Sequence, residues 1–325
     1  MKILQVSGKH YSLETSKIIN RGGKHESHVI LPYMEPLKLY TEEELRKYKW
    51  VKVWVGSRAS LFLKTLKELL LSDYDVLVFH GCTLSVRLAP FFEYKFVRKI
   101  RGRIPIVFVC HSQNRVKYIL REKIHKLARK DRNLLIAYVS TNMKRYLPEK
   151  SVYLPQAIPG TFRPNPRIRP DNPPVILCPT AGGKWGEKYK GRRFLLEAVK
   201  KLKEKGLAFR LKELGGKPVP YSQMPEQYWK STLVFDQIYD EVYGKVTPEA
   251  FMCGRVALND AGYPTEDNFV NAENLADKIE EFLVDENLRR KVAEKGRKIV
   301  LERHLAENAT RRFIEVLKKF VEGCS

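Results

Sequence analysis

Short apolar runs and polar stretches alternate along the chain. Runs stand at Lys2 to Ser7, His28 to Leu31, Val51 to Val55, Asp75 to His80, Ile104 to Cys110 and Leu134 to Val139, each of strand length. Between them apolar residues recur at helical spacing. Leu61, Phe62, Leu66, Leu69 and Leu70 share one face, and Val116, Ile119, Leu120, Ile124, Leu127 and Ala128 share another, on a helix predicted to begin near Gln113. A second set opens at Val175 to Cys178 and continues with Leu207 to Leu211, Thr232 to Phe235 and Val256 to Leu258. It contains a helix with Phe194, Leu195, Ala198, Val199 and Leu202 on one face, and three helices follow, marked by Leu275 to Leu283, Leu288 to Ile299 and Phe313 to Val321. Strands alternating with helices predict an α/β class of two Rossmann-like, doubly wound parallel sheets, each covered on both faces. Between the sets, prolines at 155, 159, 164, 166, 170, 173 and 174 mark a stiff linker. The predicted organisation is a domain over 1–158, a linker over 159–172, a second domain over 173–304 and a terminal helix over 305–325.

Composition narrows the partners. Sixty Lys plus Arg against 37 Asp plus Glu leave a formal charge of +23, which calls for a polyanion: nucleic acid, an anionic membrane surface or a phosphorylated substrate. High Lys with many Glu, Ile and Tyr is also the composition of a hyperthermophile, which explains the charge content and leaves its imbalance unexplained. The five cysteines, Cys82, Cys110, Cys178, Cys253 and Cys324, are unclustered, and this argues for a reducing cytosol and against zinc. No apolar run reaches the ~18 residues of a membrane span, so the expectation is a cytoplasmic protein whose membrane contact, if it has one, is peripheral. A basic face suited to such contact lies on the helix after Gln113: Arg115, Lys117, Arg121, Lys123, Lys126, Arg129 and Lys130. The same pattern serves a solvated surface helix.

The candidate chemistry gathers at strand ends, where doubly wound sheets place their ligands. Ser7-Gly8-Lys9-His10 follows the first run, His80-Gly81-Cys82 follows the fourth, and His111-Ser112-Gln113 follows the fifth. In the second set, the loop with Lys184 is followed by Lys190-Gly191 opening a helix. Val234 to Asp260 then carries Glu241, Gly244, Thr247, Pro248 and Glu249. Thr247 reads as a hydroxyl N-cap, Pro248 as the first helical residue and Glu249 as a first-turn carboxylate, so an exposed helix N-terminus suited to an anion is predicted there.

The spacing of Glu241 and Glu249, Glu241-Val242-Tyr243-Gly244, Glu249-Ala250-Phe251-Met252-Cys253-Gly254, Lys190-Gly191 and the segment from Tyr153 to Pro164 together resemble the retaining GT-B glycosyltransferases of family 4. Val242 stands where the family carries a glycine, Gln156-Ala157 where it carries Asn-Gly, and Lys184 is one residue further from Lys190 than the usual pair. The resemblance implies a hexosyltransferase-like enzyme moving a sugar from a nucleotide-sugar to an acceptor hydroxyl across a cleft between two domains, with retention. It implies a last helix that crosses back to the first domain, and no metal and no cofactor beyond the nucleotide-sugar co-substrate. Implied catalytic residues are Glu241, Lys190 and His111. Gly8, Lys184, Gly244, Thr247 and Glu249 would hold the donor, with Glu249 on the ribose, and the acceptor would be a lipid-linked or other glycan. A nucleotide-sugar 2-epimerase on the same fold is the alternative enzyme. A basic nucleic-acid-binding protein is the alternative of another class, and the cleft motif argues against it.

Overall fold

The first apolar run sits in the middle of a sheet. In the computed structural model, which describes residues 1–7, 10–33, 45, 47–55, 67–68, 72–80, 92–111, 121–179, 190–214, 219–239 and 241–324, β1 (Lys2–Ser7) pairs on one side with β2 (Glu26–Tyr33) and on the other with β4 (Val76–His80). With β3 (Val51–Val55), β5 (Ile106–Cys110), β6 (Leu134–Tyr138) and the two-residue β7 (Val152–Tyr153) the order is β3-β2-β1-β4-β5-β6-β7. Every pairing is parallel. Such strands are covered on both faces, and β4 and β5 are buried at every position. Helices α1 (His10–Arg21), α2 (Phe92–Arg101) and α3 (Arg121–Lys130) belong to this unit. Strand order reverses at β1, so the topological switch point lies between β1 and β4, where doubly wound sheets open their ligand crevice.

The second sheet contains β8 (Val175–Cys178), β9 (Arg210–Glu213), β10 (Leu233–Gln237) and β11 (Val256–Asn259), in the order β11-β10-β8-β9 and again all parallel. Its helices are α4 (Arg192–Glu204), α5 (Met224–Lys230), α6 (Val246–Met252), α7 (Leu275–Val284) and α8 (Glu286–His304). Here the switch point lies between β8 and β10. Two strands differ from the sequence expectation. β9 begins at Arg210 rather than Leu207 and reads Arg-Leu-Lys-Glu, because an edge strand with no fully buried residue needs no apolar run. β10 extends two residues past Phe235, into the polar pair Asp236-Gln237, both buried.

Contacts divide the chain into Met1–Ala157 with Ala306–Ser325, and Ile158–Leu305. The last helix, α9 (Ala306–Glu322), completes the first core: Phe313, Val316 and Leu317 cluster with Ile3, Val76, Val78, Val107, Val109 and Ala137. At the start of the second unit the Ile158 N–H donates to the His304 carbonyl at 2.8 Å, so the two ends of that unit are bonded to each other. The proline-rich stretch after Ile158 packs on this unit. Phe162 is buried against the rings of Tyr221 and Tyr228, Trp229 Nε1–H donates to the Arg163 carbonyl at 2.7 Å, and the Asp171 N–H donates to the Lys230 carbonyl.

Cys110, Cys178 and Cys253 are buried free thiols, as expected of core filler, whereas Cys324 is half-buried. Cys82 lies outside the described residues, as do Gly8, Lys184, most of the helix expected at Leu61 to Leu70, and residues 112–120 at the start of the basic helix. No helix among the described residues is long and apolar enough to cross a membrane.

Candidate active site

The second unit's polar site is organised by Asp236, a residue that sequence reasoning did not single out. β10 pairs with β11 through Phe235↔Leu258 and then Gln237↔Asn259, leaving Asp236 as the extra residue of a bulge, a device that re-aims a side chain at the end of a strand. The carboxylate is fully buried. A buried charge persists only when paired and hydrogen-bonded, and here both oxygens are engaged. Oδ1 lies 3.2 Å from Lys190 Nζ, and Oδ2 accepts from the Gly244 N–H at 2.6 Å and the Thr247 hydroxyl at 2.9 Å. Lys190 also donates to Gln237 Oε1, and Gln237 Nε2 donates to the Val242 carbonyl. Lys190, Gly244 and Thr247, three of the residues predicted to meet the donor, are thus brought together on one acid.

Gly244 is required by close approach. A Cβ there would stand 2.7 and 3.0 Å from the Asp236 oxygens and 3.1 Å from Lys190 Nζ. Gly191, next to Lys190, has φ of +70° and precedes α4, and a Cβ would meet Ile238 Cγ1 at 3.1 Å. Only glycine takes that backbone without strain. The Lys190 side chain keeps 23% of its surface exposed, and its ammonium is held by Asp236 and Gln237. Both switch-point strands contribute to this arrangement, since Lys190 follows β8 in the chain and Asp236 is the penultimate residue of β10.

The helix start differs from expectation. α6 begins at Val246 with Lys245 as N-cap and no side-chain cap, so Thr247 lies inside the helix and Pro248 follows it. The Thr247 hydroxyl serves Asp236 instead of the helix end, and the carboxylate of Asp236 supplies negative charge at this positive end of the helix. The first-turn side chains from Val246 to Glu249 are all buried, so the exposed helix end predicted from sequence is covered by the protein itself. Asn259 Nδ2 reaches the Thr247 hydroxyl at 3.3 Å and donates to the Tyr263 carbonyl at 2.7 Å, while its Oδ1 accepts from the Ala261 N–H at 3.0 Å. This ties the end of β11 to α6.

Glu249 has a different set of partners. Its Oε1 accepts from the Tyr221 hydroxyl at 2.8 Å, its Oε2 from the Tyr228 hydroxyl at 2.7 Å, and Lys245 Nζ lies 3.2 Å from Oε1. The same ammonium stands 3.6 Å from the centroid of the Tyr221 ring, a cation–π contact. Burial first, and the Glu249 charge second, push the Tyr228 hydroxyl well above the ordinary phenol range. It therefore stays protonated and donates.

Glu241 is exposed and has φ of 48°, the only left-handed non-glycine among the described residues. Its N–H donates to Asp260 Oδ2 at 2.8 Å. The turn is fixed by Tyr243, buried and stacked on Tyr263 with centroids 3.9 Å apart, and His304 edges onto both rings and bonds the Tyr263 hydroxyl at 2.9 Å. An L-residue held in this backbone region signals a constraint from its surroundings.

In the first unit, His111 follows β5 and stands beside His80, the last residue of β4. His80 Nδ1 and His111 Nε2 are 3.2 Å apart, and the rings stack at 5.4 Å. His80 is buried, and burial pushes its pKa down to about 3, so its ring is neutral at physiological pH. Its Nε2 meets Gln5 Oε1 at 2.8 Å. Among the described residues no group of three or more His, Cys, Asp or Glu is arranged to hold a metal ion.

Residues 189–315, which contain the Asp236 cluster and Glu249, match a family model described as glycosyl transferase-like. No curated protein matches the chain. Among solved structures, an alpha-glucosyltransferase in complex with UDP and a 13-mer DNA containing a HMU base is 15% identical, with a TM-score of 0.65 over 98% of this chain and 99% of that one. The catalytic domain of starch synthase IV from Arabidopsis thaliana, bound to ADP and acarbose, is 10% identical with a TM-score of 0.64 over 99% of each chain. The S. aureus MnaA–UDP co-structure is 14% identical with a TM-score of 0.62 over 99% of this chain and 97% of that one. At these identities the likeness is one of architecture, and it establishes the fold as α/β of the GT-B type, carried on two parallel sheets.

Proposed function

We propose that this protein is a glycosyltransferase that moves a sugar from a nucleotide-sugar to an acceptor hydroxyl with retention of anomeric configuration. The observation that carries the reading is the Asp236 cluster. An acid at a strand end holds Lys190, Gly244 and Thr247 in one place, inside the segment similar to glycosyl transferases. The pre-positioned ammonium of Lys190 stabilises negative charge growing on the departing diphosphate, without having to reorganise as the bond breaks. The family resemblance assigns Lys184 the same task. Glu241 holds hydroxyls of the donor sugar, the family resemblance adds His111 to the catalytic residues, and the leaving phosphate assists deprotonation of the acceptor. The solved structures with UDP and ADP support a nucleoside diphosphate as the leaving group.

A thermal-shift screen against UDP-, ADP- and GDP-sugars tests the reading. A ligand at ~100 times its dissociation constant adds about 2.7 kcal/mol of stability, and a protein that no nucleotide-sugar stabilises is not this enzyme. The stabilising donor is then incubated with and without acceptor. Turnover of the sugar with no acceptor present would assign an epimerase.

Glu241→Gly should separate stability from activity. The left-handed backbone costs an L-residue about 1–2 kcal/mol, and glycine removes that strain while its freer unfolded chain takes back roughly 0.5–1 kcal/mol. The N–H bond to Asp260 is kept. Melting should therefore hold or rise slightly while donor turnover falls at least about tenfold, the equivalent of one lost hydrogen bond to a charged group. Full activity in Glu241→Gly would remove Glu241 from the site.

The acceptor is proposed to be lipid-linked or another glycan, approached on an anionic surface through α3. Arg121, Lys123, Lys126, Arg129 and Lys130 are exposed there, opposite the buried Ile124. Each such charge contributes about 1 kcal/mol next to anionic lipid. Reversing Arg121, Lys123 and Lys126 to Glu should abolish sedimentation with phosphatidylserine vesicles and leave turnover of a soluble acceptor intact. Undiminished sedimentation would rule this surface out, and loss of duplex-DNA binding instead would reassign it to a nucleic-acid partner.

A further inference from the structure

The hydrogens of a buried chain in the first unit can be counted, and the count fixes a histidine two rings away. Gln5 in β1, Ser16 in α1 and Ser27 in β2 form a closed triangle: Gln5 Nε2 to Ser16 Oγ is 2.9 Å, Gln5 Nε2 to Ser27 Oγ is 3.0 Å, and the two hydroxyls are 2.7 Å apart. All three residues are fully buried. Three hydrogen bonds need three hydrogens, and two hydroxyls supply only two. An amide turned the other way would present its oxygen and add none, whereas the NH2 group adds two. The amide nitrogen therefore faces the serines, and Oε1 faces His80.

A carbonyl oxygen only accepts, so His80 Nε2, 2.8 Å away, carries a hydrogen. The buried, neutral ring then has its lone pair at Nδ1. That nitrogen is 3.2 Å from His111 Nε2, which must supply the hydrogen between them. We propose that His80 is a positioning residue, set by Gln5, that holds His111 as the Nε2–H tautomer with its Nδ1 as the accepting nitrogen. Nδ1 of His111 is buried, and its lone pair is thereby left as an acceptor for a substrate hydroxyl brought against the ring. This last step rests on the glycosyltransferase reading, while the tautomer rests on the hydrogen count and on the neutrality of the buried His80 ring. The relay runs from β2 and α1 through β1 to the ends of β4 and β5, and it crosses the switch point between β1 and β4.

Long-range proton–nitrogen spectra of 15N-histidine-labelled protein read the tautomer directly. In the wild type, His111 should carry its hydrogen on Nε2. Gln5→Met keeps the length of the side chain and removes the acceptor that holds the His80 hydrogen on Nε2. His80 can then place its hydrogen on Nδ1 and donate to His111, which should shift toward the Nδ1–H form although its own contacts are unchanged. His80→Gln still reaches Gln5 but has no atom at the Nδ1 position, and should leave His111 as a mixture of tautomers. Melting curves establish that each variant is folded. An Nδ1–H form in the wild type, or a His111 spectrum unchanged in the folded variants, overturns the proposal. Turnover of the stabilising nucleotide-sugar should fall in both variants. A tautomer that responds as described, in a protein that turns over no nucleotide-sugar, would sink the enzymatic reading and leave the relay standing.

Discussion

Asp236→Asn should cost about 2–4 kcal/mol of stability and reduce sugar transfer on the order of a hundredfold or more. The carboxylate presents one oxygen to Lys190 and the other to the Gly244 N–H and the Thr247 hydroxyl. An amide has one oxygen, and its NH2 group must face either the ammonium or the backbone N–H. Thr247 can rotate its hydroxyl, but neither of the other donors can become an acceptor. One buried donor is therefore left opposed by another, a penalty of about 1–3 kcal/mol. Loss of the charge beside Lys190 adds to it. That part is discounted because the lysine side chain is 23% exposed and water screens it. With Lys190 no longer held, the diphosphate loses its fixed counter-charge, which is the origin of the activity loss. Chemical melting and single-turnover transfer on the variant check both numbers. Wild-type behaviour in either would show that Asp236 is not the organiser of this site.

How much of this was legible beforehand follows from the way each residue signals itself. Strands buried on both faces announce themselves as apolar runs, so most of the two sheets could be read directly. β9 could not, since Arg210 to Glu213 is an edge whose register is set by Val175↔Arg210 pairing rather than by its own pattern. The two-residue β7 is too short to carry a pattern at all. Among the site residues, Lys190 and Gly244 are pointed out by the family resemblance and Thr247 by its place before Pro248 and Glu249, but the acid that unites them is hidden. Asp236 directly follows the apolar run Thr232 to Phe235, where a polar residue reads as the start of a loop. The available signal was that the polar pair Asp236-Gln237 directly closes a strand at the switch point, where an inward carboxylate needs a cation. Gln5 was similarly visible as a polar residue inside Lys2 to Ser7, which in a two-sided strand implies a buried partner. That this partner is His80 follows only from the β1–β4 pairing. Tyr221 and Tyr228 gave no sign, because their approach to Glu249 is a matter of tertiary packing across 28 and 21 residues.

Those tyrosines change what Glu249→Gln is expected to do. On sequence alone, as a ribose anchor in an exposed first turn, the variant would lose donor affinity and melt like the wild type. In the structure the carboxylate is buried, accepts from both phenols and lies beside Lys245, whose side chain is 17% exposed. A glutamine oxygen can accept from one phenol. Its NH2 group can donate to the other, but that phenol's hydrogen then needs a new acceptor in a closed site, and Lys245 loses its counter-charge. Hydrogen bonds to a charged group contribute about 1.5–3 kcal/mol each, so the variant should lose about 2–4 kcal/mol, and its melting temperature should fall at about 2–4 °C per kcal/mol. Unchanged melting would show that the tyrosine clamp does not hold α6 in place. Calorimetry at a temperature where the variant is folded, with free nucleotide and intact nucleotide-sugar as ligands, then asks whether the same oxygens also meet the ribose. Equal losses for both ligands would place a ribose contact on Glu249, with the donor displacing a tyrosine hydroxyl. Preserved affinity for both, alongside the lower melting temperature, is the result expected if Glu249 only anchors the helix that carries Thr247 to Asp236.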